Sequence, residues 1–185
     1  MRLLPLLSLL LLACEVQPDP APPAAVDDTL PIPPAPAPTA APTREQREAA
    51  VVGQPAGAWQ GVRWLDGSPT DLSQGTKLLV FWEAWCPHCK RELPELARLS
   101  TDQQGRLEVV GLTRMSRGTT EEQVRALLAE SGATFPQGHS DGALSDRFAV
   151  TGVPAAALVK DGVVAWRGHP ARLDAATLAG LLGDG

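Results

Sequence analysis

Two thiols separated by two residues, Cys86 and Cys89, are the groups in this chain best placed to do chemistry. They lie in Phe81-Trp82-Glu83-Ala84-Trp85-Cys86-Pro87-His88-Cys89, followed by Lys90-Arg91-Glu92-Leu93-Pro94. Residues 77–82 are almost wholly apolar, as expected of a strand buried on both faces. After the cysteines, Leu93, Leu96, Ala97 and, less cleanly, Leu99 recur at helical spacing. The first sulfur is therefore expected at a helix N-terminus, where unpaired backbone N–H groups and the helix dipole favour negative charge. The thiolate is the form that attacks a disulfide. Cys89, three residues on, shares the helix face and can resolve the mixed disulfide. The pattern predicts thiol–disulfide exchange, with Cys86 as the exposed nucleophile, Cys89 more deeply buried, and no bound cofactor.

Other uses of a Cys-x-x-Cys pair compete with this one. A structural zinc site needs four ligands, usually two such pairs or one pair with two histidines. Here His88 lies inside the motif, while His139 and His169 read as isolated surface-loop residues, so no metal is expected. A purely structural bridge across so short a loop adds little entropic stabilisation. A non-catalytic module that tethers a partner or delivers copper is the rival from another functional class.

The elements that must position the pair can be read from periodicity and turn signals. Residues 59–65, followed by Asp66-Gly67, read as a first strand and turn, with residues 107–112 as a second buried strand. Thr119 with Glu122 offers a capping box for a helix through Val124, Leu127 and Leu128, which Gly132 ends. Residues 155–160 and 163–167 flank Asp161-Gly162, a strong hairpin signal. A last helix spans residues 173–182. The order βαβα followed by ββα gives a mixed sheet with helices on its faces, an α/β fold.

The N-terminus is of a different kind. Residues 3–13 form an apolar run behind Arg2, too short to span a bilayer that needs about 20 helical residues, and they have the proportions of an export signal. Leu11-Leu12-Ala13-Cys14 resembles a bacterial lipobox, which implies a lipid on Cys14 and a membrane anchor. Ten prolines then fall between Pro18 and Pro42, a composition that favours extended polyproline II over a packed core. These features divide the chain into a signal (1–13), a lipidated Cys14 with a Pro/Ala-rich stalk (14–49), and one folded domain (50–185). The net charge is −5, with no basic stripe able to neutralise nucleic-acid phosphates, so nucleic acid is not an expected partner.

Trp85-Cys86-Pro87-His88-Cys89, the helix continuation to Pro94, and the later Gly152-Val153-Pro154 resemble the thioredoxin superfamily. More narrowly, they resemble the membrane-anchored TlpA/ResA-type thiol–disulfide oxidoreductases, over residues 53–183. The resemblance implies a thioredoxin-like fold facing the periplasm or outside, protein thiol and disulfide substrates, and a membrane redox partner. It implies a cis Val153-Pro154 bond opposite the cysteines, with the Val153 backbone pairing with bound polypeptide and Trp85 at the rim of the site. Trp82 is equally compatible with rim or core, and Pro94 is expected to kink the helix. Val80 stands where thioredoxins carry a buried Asp. Glu92 matches the TlpA-like acid that can take the Cys89 proton. The Pro87-His88 dipeptide is that of DsbA-type oxidases, and His88 could stabilise the Cys86 thiolate and raise the reduction potential. A peroxiredoxin would place Thr three residues before its reactive Cys, where this chain has Glu83.

Overall fold

In a computed structural model, residues 41–183 are described. The expected signal, Cys14 and the stalk up to residue 40 lie outside them. Twelve elements follow in order: α1 (Arg44–Val51), β1 (Val62–Asp66), β2 (Thr76–Trp82), α2 (Pro87–Asp102), β3 (Glu108–Thr113), α3 (Glu121–Ser131), β4 (Gln137–Ser140), α4 (Ala143–Arg147), β5 (Ala155–Lys160), β6 (Val163–Gly168), a 3-10 turn (Pro170–Arg172) and α5 (Ala175–Leu182). The six strands form one mixed sheet in the order β1-β4-β3-β2-β5-β6. β2 lies at its centre, parallel to β3 and antiparallel to β5.

The apolar run of β2 is explained by burial on both faces. Leu78, Val80 and Trp82 point into one core with Cys89, Leu93 and Leu96 of α2, Val124 and Leu128 of α3, and Leu178 of α5. Leu79 and Phe81 point into the other, with Leu144 of α4 and Phe148. Side chains alternate along a strand, so a central strand with helices on both sides must be apolar throughout. Trp82 is a core residue, 1% exposed. Asp161 (φ 47°) and Gly162 (φ 83°) form the tight turn between β5 and β6, both in the left-handed region that a two-residue hairpin of this type demands.

Several expectations are corrected. The boundary expected at residues 49/50 falls inside α1, whose own capping box (Thr43 with Gln46) starts it earlier. Its Glu48 is buried against β6. The first strand begins at Val62, three residues later than expected, and pairs antiparallel with β4 at the sheet edge. The box opening α3 is Thr120 with Gln123, one residue later than expected. Thr-Thr-Glu-Glu-Gln offers both frames, and the later one forms. Neither β4 nor α4 was anticipated. β4 is only four residues long and holds Gln, Gly, His and Ser, with none of the β-branched or aromatic residues that mark a strand.

Candidate active site

β2 delivers the motif. After Trp82 the chain turns, and the Cys86 N–H donates to the Glu83 carbonyl oxygen (3.0 Å). Cys86 is then the N-cap of α2, with extended backbone, and Pro87 occupies the first helical turn, where a missing N–H costs nothing. The Cys89 N–H donates to Cys86 Sγ (3.4 Å), and the Lys90 N–H to the Cys86 carbonyl (3.1 Å). The first sulfur thus takes the place of a capping oxygen at the positive end of a sixteen-residue helix. Both thiols are free. Residue 86 is not exposed as expected, however: Cys86 is 3% accessible and Cys89 1%. Cys86 Sγ lies 3.7 Å from the Val153 carbonyl oxygen, which it faces as donor. Val153-Pro154 is a cis peptide, so the loop expected opposite the cysteines is there and covers the first of them.

Trp85 is half-buried beside the motif. Its Nε1–H donates to Ser116 Oγ (2.9 Å), and the Arg117 guanidinium stacks 3.7 Å from its ring centre. The Ser116 N–H in turn donates to Glu83 Oε2 (3.1 Å). The loop after β3 is therefore latched to the motif at three points, with Met115 (φ 49°) and Arg117 (φ 57°) both in the left-handed region, a conformation that needs such contacts to persist.

The acids near the pair are not arranged as the motif alone suggested. Glu92 makes no hydrogen bond to either thiol among the described residues. It lines a cavity of about 490 Å³ with Leu78, Leu96 and Pro170, on the flank of α2. At about 100° per residue, Leu93 falls nearer the axis of Cys89 than Glu92 does, and Leu93 takes the core position. Glu83 is the buried carboxylate next to the motif, and its Oε2 accepts the Ser116 N–H. It is 4% exposed at the end of β2 and lines a cavity of about 540 Å³ with Arg114, Ser116, Ser140, Ser145 and Val153. Burial pushes the Cys89 thiol far above its ordinary range, and the hydrogen bond with the Cys86 side chain adds to this.

His88 is exposed, and its Nδ1 meets Arg91 Nη2 at 2.6 Å. Nδ1 is the acceptor there, because a guanidinium can only donate. Pro94 lies inside α2, which continues through it to Asp102. His139 is on β4, half-buried, within 3.2 Å of the Arg114 carbonyl, and His169 Nδ1 accepts the Ala171 N–H. Neither comes to the cysteines as a ligand.

Residues 52–167 match the family described as AhpC/TSA. The chain belongs to the AhpC/TSA family. Among curated proteins, it is 33% identical over 78 residues to the thioredoxin-like protein YneN of Bacillus subtilis, covering 40% of this chain and 46% of that one. The match thus spans less than half of that relative. The structure of MTB DsbF, in mixed oxidised and reduced forms, is 25% identical, covers 70% of this chain and 97% of its own, and superposes with a TM-score of 0.55. A thiol:disulfide interchange protein DsbE of Chlorobium tepidum is 20% identical (71% and 98% covered, TM-score 0.57) and shares the fold. The family and these thioredoxin-like relatives support a redox function for the chain.

The burial of Cys89 has a consequence for stability. Its folded pKa is raised above the ordinary 9.0, so the folded state holds this proton where the unfolded chain releases it. The stabilisation is complete below about pH 9 and is lost as pH rises beyond it. The reduced protein is expected to lose about 1.4 kcal/mol of stability per pH unit above pH 9 through this group. Denaturant unfolding of Cys86→Ser against the double Cys86→Ser/Cys89→Ser chain isolates the slope, and the chain has no tyrosine to titrate in the same range. Equal slopes in the two variants would show that Cys89 is not held as a thiol.

Proposed function

We propose that this protein is a thiol–disulfide oxidoreductase that exchanges disulfides with polypeptide substrates outside the cytoplasm through Cys86 and Cys89. The observation that carries this reading is the sulfur of Cys86, placed as the cap of α2 between the Cys89 N–H and the Val153 carbonyl. In the reducing direction the Cys86 thiolate attacks a substrate disulfide, forming a mixed disulfide and releasing one substrate thiolate. Cys89 then attacks the Cys86 sulfur and releases the second. Its proton goes to a departing substrate thiolate, and two electrons pass from the pair to the substrate. The oxidising direction is the reverse. A polypeptide bound along Val153 and Pro154 would pair with the Val153 backbone and rest against Trp85. Burial keeps the proton on Cys89 until a thiolate leaves. Pro87 and His88 tune the pair through the charge at the start of α2, with His88 linked to Arg91.

The N-terminal residues extend the proposal. A lipid on Cys14 would hold the domain on a membrane, in the cell envelope, where a membrane redox partner recharges the pair. Similar structures include a secreted disulfide oxidoreductase of Mycobacterium tuberculosis and a thiol:disulfide interchange protein of Chlorobium tepidum, in keeping with this location.

Insulin reduction with dithiothreitol is the direct test. The protein should speed precipitation of the insulin B chain well above the dithiothreitol background, and the full chain should partition into detergent only when Cys14 is present. A pair that forms a disulfide yet gives no turnover on insulin or any scrambled-disulfide substrate would favour the binding or copper-delivery module instead.

A further inference from the structure

Arg167 on β6 is a buried cation that the exchange chemistry does not use. Its side chain is 1% exposed, and its guanidinium is spread over four backbone carbonyls: Nε donates to Phe148 (2.8 Å), Nη2 to Ala149 (3.4 Å), and Nη1 to Ala156 (3.2 Å) and Gly168 (2.9 Å). Phe148 and Ala149 stand just before the loop that carries Val153 and Pro154, and Ala156 stands just after it. One side chain therefore grips both ends of that loop, including Ala149 in its left-handed conformation (φ 49°). The counter-charge comes from α1. Glu48 Oε1 is 3.6 Å from Arg167 Nη1, is almost as deeply buried, and also accepts from Arg44 Nε (2.8 Å). Burial works against the Arg167 charge, and Glu48 is what supports it.

We propose that Arg167, held by Glu48 of α1, is a positioning residue that sets the loop of residues 150–154 over Cys86 and so controls access of polypeptide to the thiol. The Val153 carbonyl sits 3.7 Å from Cys86 Sγ, and Cys86 is only 3% accessible. A small movement of the loop therefore uncovers the sulfur, while the same movement displaces the backbone edge on which a substrate would pair. Only a planar guanidinium, with five donors in a fixed fork, can reach carbonyls on both sides of the loop. A lysine ammonium has three donors at one point.

The inference rests on the exchange reading for its meaning, but its test does not depend on turnover. Glu48→Gln and Arg167→Lys are compared with wild type in three measurements: amide hydrogen exchange, the rate of Cys86 alkylation by iodoacetamide in the reduced protein, and insulin reduction kinetics. Loosening the clamp should speed exchange of the amides of residues 149–153 and alkylation of Cys86 each on the order of tenfold, leaving the β2 amides unchanged. KM should rise by a similar factor with kcat within about twofold. Opposite effects on a small reagent and on a polypeptide separate positioning from general loosening. Should Arg167→Lys fail to fold, Glu48→Gln, which removes the counter-charge and leaves the guanidinium's carbonyl contacts in place, must alone show the same directions. Folded variants with wild-type loop exchange and wild-type alkylation would overturn the clamp, as would β2 amides that speed up as much as the loop. The full pattern in exchange and alkylation, in a protein with no insulin turnover, supports the clamp and removes the exchange reading.

Discussion

A Cys89→Ser chain is expected to accumulate as a mixed disulfide with its substrate, whereas Cys86→Ser forms no adduct at all. The asymmetry follows from placement. Cys86 Sγ caps α2 and receives the Cys89 N–H, so negative charge on this sulfur is stabilised where the helix begins. Cys89 lies one turn inside, packed with Val80, Trp82 and Leu93, and burial holds it as a neutral thiol. Attack must come from Cys86, and without Cys89 the mixed disulfide has no internal thiol to release it. Turnover on insulin should fall by about 10³-fold or more in either variant, since nucleophile and resolving group act as one unit. Non-reducing gels and intact mass then tell the two apart: a covalent insulin-chain adduct with Cys89→Ser, none with Cys86→Ser. An adduct that forms equally well on Cys89 in the Cys86→Ser chain would reverse the assignment of nucleophile.

Trp82→Ala is expected to be among the most destabilising single changes in the domain. The indole is 1% exposed at the end of β2, and its Nε1–H donates to Gln137 Oε1 (3.2 Å) on β4. Gln137 is itself 1% exposed, pairs across the sheet with Gly111 of β3, and occupies the room that glycine leaves, where a Cβ would run into the amide. Its Nε2 has no partner among the described residues, so the indole is the side chain's one polar contact. Removing the ring should cost about 3–5 kcal/mol through lost contacts and the cavity left behind, with about 1–3 kcal/mol more for the stranded Gln137 oxygen. Trp82→Phe keeps most of the volume and should show little beyond that second effect. For a domain whose net stability is on the order of 5–15 kcal/mol, the alanine variant stands near the edge of unfolding. Urea denaturation of the oxidised protein measures both, and a Trp82→Ala midpoint within error of Trp82→Phe would mean that the site collapses around the missing ring.

The sequence alone determined the parts of this protein that depend on neighbours along the chain. The apolar run into β2, the helix behind Cys86, the Asp161-Gly162 turn and the glycine stop after α3 are local patterns of spacing and turn chemistry, and all were legible. So was the placement of Cys86 and Cys89, which requires only that two sulfurs lie one helical turn apart after a buried strand. The resemblance carried by Gly152-Val153-Pro154 placed the loop opposite the cysteines, which no local rule would have done. Where the reading failed, a partner distant in sequence decided. β4 is a strand only because β1 and β3 supply hydrogen bonds on either side of Gln-Gly-His-Ser. α1 belongs to the domain because Glu48 meets Arg167, more than a hundred residues away. Glu92 and Glu83 are both near the motif in sequence, yet only the rotation of α2 and the turn after β2 determine that Glu83 is buried and Glu92 lies on the flank of the helix. Cys86 is covered, not exposed, because a loop 67 residues later lays a carbonyl over it. Charge, burial and access are properties of what surrounds a side chain in space, and those surroundings are assembled by the sheet order β1-β4-β3-β2-β5-β6, which brings together segments that no window of sequence contains.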